Sequence, residues 1–134
     1  MDENSTAGVF DEPAKKTILL IEDDPLLVKM YREKFEMEGF RVISAEDGEK
    51  GLDAAFNEKV DIVILDLLIP RLSGMDFLKK LRESEMSKDL PVIVLSNLSE
   101  REEQDKARQL GVKEYLLKAN LTPTQVVEKI KLYV

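Results

Sequence analysis

Five short aliphatic runs punctuate the chain, each separated from the next by enough residues for one helix: TILLI (17–21), RVISA (41–45), DIVIL (61–65), PVIVL (91–95) and KEYLL (113–117). Runs of this length and β-branched content read as strands, being too short for a buried helix. The first, third and fourth are almost unbroken in apolar residues rather than alternating. That predicts strands covered on both faces, as in a parallel sheet. The stretches between them carry helical spacing. Leu27, Tyr31, Lys34 and Phe35 share one face of the first, and Leu52, Ala55 and Phe56 one face of the second. Phe77, Leu78 and Leu81 do so in the third, and Val126, Val127, Ile130, Tyr133 and Val134 in the last. The segment 99–110 (SEREEQDKARQL) is charged on nearly every side, so its helix is predicted to be weakly anchored.

Local signals agree with this division. Asp24-Pro25 reads as an N-cap followed by a first-turn proline. Gly39 suits a helix end, and Thr122-Pro123-Thr124-Gln125 has the form of a capping box. Five strands alternating with five helices imply parallel βαβ units. The 134 residues then fit one α/β domain. We expect a doubly wound, five-stranded parallel sheet, a flavodoxin-like (βα)5 fold with strand order 2-1-3-4-5. Residues 1–15 are polar and interrupted by Gly8 and Pro13; they read as a flexible tail before a folded domain over 16–134.

Sheets of this kind bind ligands beyond the carboxyl ends of their strands, at the topological switch point. Glu22, Asp23 and Asp24 follow the first run, Glu46 and Asp47 the second, Asp66 the third, Ser96 and Asn97 the fourth, and Lys118 the fifth. Asp24 suits a helix cap, and Glu46-Asp47 a helix start. Glu22, Asp23 and Asp66 remain as three acids at close range. Without a neutralising charge, one of them would take up a proton. A divalent cation resolves the repulsion, and magnesium is typically held by one or two carboxylates together with waters and phosphate oxygens. Lys118 adds a point charge suited to phosphate, and the Ser96 hydroxyl a donor for a phosphoryl oxygen. Charge neutralisation and positioning are what phosphoryl transfer requires. An aspartate can serve as nucleophile, and Asp66, alone at the end of the central strand, is the candidate acceptor. Each of these residues has an ordinary structural use when taken singly; their joint placement on four strand ends carries the reading.

Composition narrows the chemistry further. The chain has neither cysteine nor histidine, which excludes disulfides, thiolate catalysis, Ser-His arrangements and His-ligated zinc. Any metal must be held by oxygen, so magnesium, manganese or calcium is favoured. A formal net charge of −7 argues against direct nucleic-acid binding. No apolar run has the ~20 residues of a membrane span. The first residues lack the basic start and apolar core of a signal peptide. A cytoplasmic location is therefore expected.

These residues resemble the receiver domain of two-component response regulators, over about 16–134. ILLIEDDP is similar to that family's first strand and acidic pair. DIVILDLLIPRLSG has its Asp-x-x-x-Pro-x-x-x-Gly spacing at Asp66, Pro70 and Gly74. PVIVLSN supplies the small hydroxyl residue, and EYLLKA the lysine with an aromatic residue three positions earlier. The resemblance implies that Asp66 becomes an aspartyl phosphate, taking its phosphoryl group from a histidine kinase or phosphotransfer protein. It implies that Asp23, Asp66 and the backbone carbonyl of Leu68 bind magnesium directly, with manganese an alternative, and that Glu22 acts through a metal-bound water. Lys118 would pair with the phosphoryl oxygens. Ser96 would move toward the phosphate and Tyr115 would turn inward, switching the 99–134 face for a downstream protein target or a homodimer partner. Such a protein is a phosphorylation switch rather than an enzyme, although it assists its own phosphorylation and dephosphorylation. The rival reading is a pseudo-receiver, an interaction module that is never phosphorylated.

Two positions depart from the family pattern. Ala119 follows the lysine where proline is usual, and Asn97 follows the hydroxyl residue where alanine or glycine is usual. Leu68 and Leu98 are apolar at positions that, by resemblance, flank the phosphoryl group. Neither can orient an attacking water, so slow hydrolysis is expected.

Overall fold

Each of the five runs becomes a strand in the computed structural model, which describes residues 14–134. The tail expected over 1–15 thus lies, apart from its last two residues, outside the described residues. The strands are β1 (Thr17–Ile21), β2 (Arg41–Ala45), β3 (Ile62–Leu65), β4 (Val92–Ser96) and β5 (Glu114–Leu117). The helices are α1 (Pro25–Met37), α2 (Gly48–Asn57), α3 (Gly74–Glu83), α4 (Arg101–Gln109) and α5 (Pro123–Ile130), with a 3-10 turn at Lys118–Asn120. All strand pairs are parallel, in the order β2-β1-β3-β4-β5, which is the expected 2-1-3-4-5.

Alternate strand residues feed two cores, one on each face of the sheet. Ile18, Leu20, Ile62, Ile64, Ile93 and Leu95 meet Tyr31 and Phe35 of α1 and Val126, Val127 and Ile130 of α5. On the other face Leu19, Ile21, Val63, Leu65, Val92 and Val94 meet Phe77, Leu78 and Leu81 of α3 and Ala107 of α4, with Leu52 and Ala55 of α2 packed beside them. This double cover explains why the central strands are apolar throughout.

The caps form as the sequence indicates. Asp24 accepts from the Leu26 N–H at 2.9 Å, and Asp47 from the Lys50 N–H at 2.8 Å. The reciprocal bonds of the Thr122–Gln125 capping box are both present. Gly39 has φ +93° just beyond α1, a left-handed conformation that favours glycine. Some predicted helix faces need correction. Phe56 lies on the exposed side of α2, where Gly51 takes the core position; a Cβ there would come within 2.6 Å of the Ile21 side chain. Lys34 is half-exposed and pairs with Glu38 at 3.4 Å, while Val28 supplies the apolar contact. The helix α5 ends at Ile130. Past that end, the Tyr133 hydroxyl bonds to Glu114, and Val134 is exposed.

Candidate functional site

Strand register builds the site. Ile21 pairs with Leu65, so Glu22 and Asp66 leave the sheet side by side. Ser96 pairs with Leu117, which sets Asn97 beside Lys118. The chain after Asp66 folds back sharply: the Gly74 N–H donates to the Leu67 carbonyl at 3.2 Å. A Cβ at Gly74 would stand 2.5 Å from Leu67 Cα. That contact accounts for the glycine eight residues after Asp66, since only a bare backbone fits there.

Glu22, Asp23 and Asp66 can each present a carboxylate oxygen within 4.8 Å of the other two. Glu22 and Asp66 are buried, 3% and 6% exposed, whereas Asp23 is open to solvent. Lys118 lies between the buried pair. Its ammonium donates to Glu22 Oε1 at 2.5 Å and to Asp66 Oδ2 at 2.7 Å. The second Glu22 oxygen accepts from the Asp24 N–H at 3.0 Å. Asp66 Oδ1 accepts from the Ser96 hydroxyl at 2.7 Å and from the Leu68 N–H at 3.0 Å.

These contacts qualify the electrostatic expectation. Lys118 supplies part of the neutralisation, and three carboxylates with one ammonium still leave two negative charges. Burial pushes the Glu22 carboxyl above the ordinary glutamate range, against the lowering influence of Lys118 and the Asp24 amide. Burial alone would pull the Lys118 ammonium down; its bonds to Asp66 and Glu22 outweigh that and hold it above the ordinary lysine value. The donor set is wholly oxygen and keeps an excess of negative charge, which fits a hard divalent cation such as magnesium.

The switch residues named by resemblance are already engaged. Ser96 bonds to Asp66, and the Tyr115 hydroxyl donates to the Leu98 carbonyl at 2.5 Å. Burial raises the Tyr115 hydroxyl pKa, and Glu103 and Glu100 add to the effect. One contact has no signal in the local sequence: the Ala119 N–H donates to the Asn97 side-chain oxygen at 3.1 Å. The two residues that depart from the family pattern touch each other. Asp24 serves α1 as a cap, and Asp47 caps α2 and pairs with Arg71 at 3.4 Å; neither belongs to the carboxylate cluster.

Fold and site together define a doubly wound α/β domain with an oxygen-lined acidic cluster at its strand ends, and comparison with known proteins gives the family. The response regulator receiver domain family matches residues 18–131. The chain is 28% identical, over 118 residues, to the polar-differentiation response regulator DivK of Brucella anthropi, covering 88% of this chain and 95% of that protein. Its fold matches a CheY-like receiver domain protein from Methanospirillum hungatei with TM-score 0.83 at 24% identity, over 89% and 93% of the two chains. It also matches the receiver domain of a sensor histidine kinase from Pseudomonas aeruginosa, solved with a magnesium ion coordinated in its active-site cleft. There the TM-score is 0.81 at 23% identity, over 90% and 98% of the chains. The chain belongs to the response regulator receiver domain family. Members of that family are phosphoacceptor switches of two-component systems and are generally not classed as enzymes. Among the described residues no helix is long and apolar enough to cross a membrane.

Proposed function

We propose that Asp66 accepts a phosphoryl group from a phosphohistidine on a histidine kinase or phosphotransfer protein, and that the modification switches the 99–134 face for a protein partner. The observation that carries this reading is the convergence of Lys118 and Ser96 on opposite oxygens of Asp66, beside two further carboxylates. A bound magnesium ion, held by Asp23, Asp66 and the Leu68 carbonyl, would supply charge neutralisation for the incoming phosphoryl group. Glu22 has both oxygens engaged, which suits an outer role through a metal-bound water. An Asp66 oxygen attacks phosphorus, the bond from phosphorus to the imidazole nitrogen breaks, and the donor histidine leaves with its electron pair. These 134 residues contain no histidine, so the phosphohistidine comes from outside them. Lys118 then pairs with the phosphoryl oxygens, and Ser96 donates to one of them. The new dianion with its acceptor oxygens biases Ser96 and the loop after it, which carries Leu98, and through that loop α4 and Tyr115.

Intact mass after treatment with acetyl phosphate and magnesium tests the proposal. A gain of one phosphoryl group, lost in Asp66→Asn, is expected. No gain, or a gain that survives in Asp66→Asn, would overturn it, and the first result would favour the pseudo-receiver. The phosphoryl group should also be long-lived. Leu68 is 56% exposed on the loop after Asp66 and, like Leu98, offers no polar group to an attacking water. Replacing both (Leu68→Asn with Leu98→Glu) should speed the decay, and an unchanged lifetime would sink that explanation.

A further inference from the structure

Asn97 and Ala119 each look like an isolated departure from the family pattern, yet they are bonded across two strands. The Ala119 N–H that meets Asn97 Oδ1 would not exist in proline. The oxygen that receives it would not exist in alanine or glycine. Each residue makes sense given the other.

The bond also has a place in the backbone. Ala119 is the second residue of the Lys118–Asn120 turn, and Leu117, at that turn's N-cap position, has no side-chain cap bond. The first N–H groups of a helical turn need an outside acceptor, and asparagine is among the best. Asn97 supplies it from just past the end of the neighbouring strand, 22 residues away. Lys118 is therefore held from both sides. The sheet fixes Leu117 opposite Ser96, and Asn97 fixes Ala119. Between those two points the Lys118 side chain runs inward to Glu22 and Asp66. The Lys118–Ala119 peptide is trans.

We infer that Asn97 is a positioning residue for Lys118: by capping the Lys118–Asn120 turn from just past the end of β4, its side-chain oxygen aims the ammonium at Asp66 and Glu22. The catalytic part of this inference rests on the reading of Asp66 as phosphoacceptor. The bond also links the loop after Ser96 to the loop that carries the lysine, so the two groups on Asp66 are held as a unit.

The test uses the full chain and four variants: Asn97→Ala, Asn97→Ser, Lys118→Ala, and Asn97→Ala with Lys118→Ala. Two quantities are read. One is the rate of phosphorylation by acetyl phosphate with magnesium. The other is the NMR behaviour of the apo protein, namely hydrogen exchange at the Ala119 amide and the nitrogen signal of Lys118 Nζ. Loss of one directing hydrogen bond should slow phosphorylation about tenfold in Asn97→Ala. The Ala119 amide should lose protection and the Lys118 signal should shift. Serine, a neutral residue of similar capping power, should restore part of each. In the Lys118→Ala background, Asn97→Ala should add nothing. An unchanged or faster rate in Asn97→Ala would overturn the inference, the faster rate showing that Asn97 merely narrows donor access. Multiplying effects of Asn97→Ala and Lys118→Ala would overturn it too. If the wild type accepts no phosphoryl group, the Asp66 proposal is what fails. The NMR readouts then decide alone: a shifted Lys118 signal with an unprotected Ala119 supports the positioning role, and unchanged signals refute it.

Discussion

Helices α3 and α4 cover the same face of the sheet and are nearly equal in length, 10 and 9 residues, but they are held in opposite ways. In α3, Phe77, Leu78 and Leu81 are all fully buried, and Ser73 caps the first turn. Its last turn is tied down by Arg82, whose guanidinium donates to the carbonyls of Leu90 and Leu110, each at 2.7 Å, and of Lys88 at 3.0 Å. In α4 only Ala107 is buried and the N-cap has no side-chain bond. The remaining contacts of α4 include ion pairs of Lys106 with Glu102 and Glu103 and of Arg108 with Asp105, at 3.6–3.7 Å on the surface, where such pairs contribute little. The helix after the loop of the proposed acceptor Asp66 is firmly anchored, and the helix after Ser96 is held by few buried contacts. A switch needs both, because a charge placed on a fixed base can displace only what is loosely held.

The sharpest way to break this contrast is core truncation. Leu81→Ala should cost about 2–5 kcal/mol in chemical denaturation. An exposed change on α4, Arg101→Ala, should stay within about 0.5 kcal/mol; equal costs would erase the distinction. The cation comes next. Magnesium at a hundredfold excess over its Kd should stabilise the wild type by about 2.7 kcal/mol. Asp23→Ala should lose most of that. Hydrogen exchange should slow in the loop after Asp66 and not in α4 if the rigid half of the site is where the ion is felt. The stabilisation should weaken as pH falls, because burial raises the Glu22 carboxyl. It therefore takes up a proton above the ordinary glutamate range, and the proton competes with the ion. A smaller effect is expected from Tyr115→Phe, which removes the bond to the Leu98 carbonyl. It should cost about 1 kcal/mol and speed exchange in the first turn of α4 while leaving α3 unchanged. Asp24→Ser should change least, within about 0.5 kcal/mol, since serine caps as well as aspartate. A loss of magnesium response in that variant would show that Asp24 belongs to the ion site after all.

Much of this was legible before the structure. Runs of four or five aliphatic residues, Pro and Gly at element ends, and Thr122 with Gln125 act over one or two turns, so periodicity and capping rules reach them. The candidate site was legible for a related reason. In a doubly wound sheet every strand delivers its next residue to the same edge, and the residues just past the strand ends include Glu22, Asp23, Asp66, Asn97 and Lys118, with Ser96 closing β4 itself. Phe56 misled because helical spacing alone does not say which side of α2 faces the sheet; the close approach of Gly51 to Ile21 decides that. Arg82 gave no warning, since its partners are backbone carbonyls outside its own helix.

The sequence by itself determined the five strands and their helices, the doubly wound parallel class, and the set of charged residues at the strand ends. These result from local pattern and from the chemistry that pattern can bury. Only the tertiary structure decided how those residues share their charge and bonds. Lys118 spans Glu22 and Asp66, Asp23 is left open at the rim, Arg82 ties down α3, and Asn97 caps the turn that follows the next strand. The Lys118 and Asn97 contacts join strand ends far apart in the chain, whose meeting depends on strand order and register, and Arg82 reaches carbonyls outside its own helix; no local periodicity records any of them.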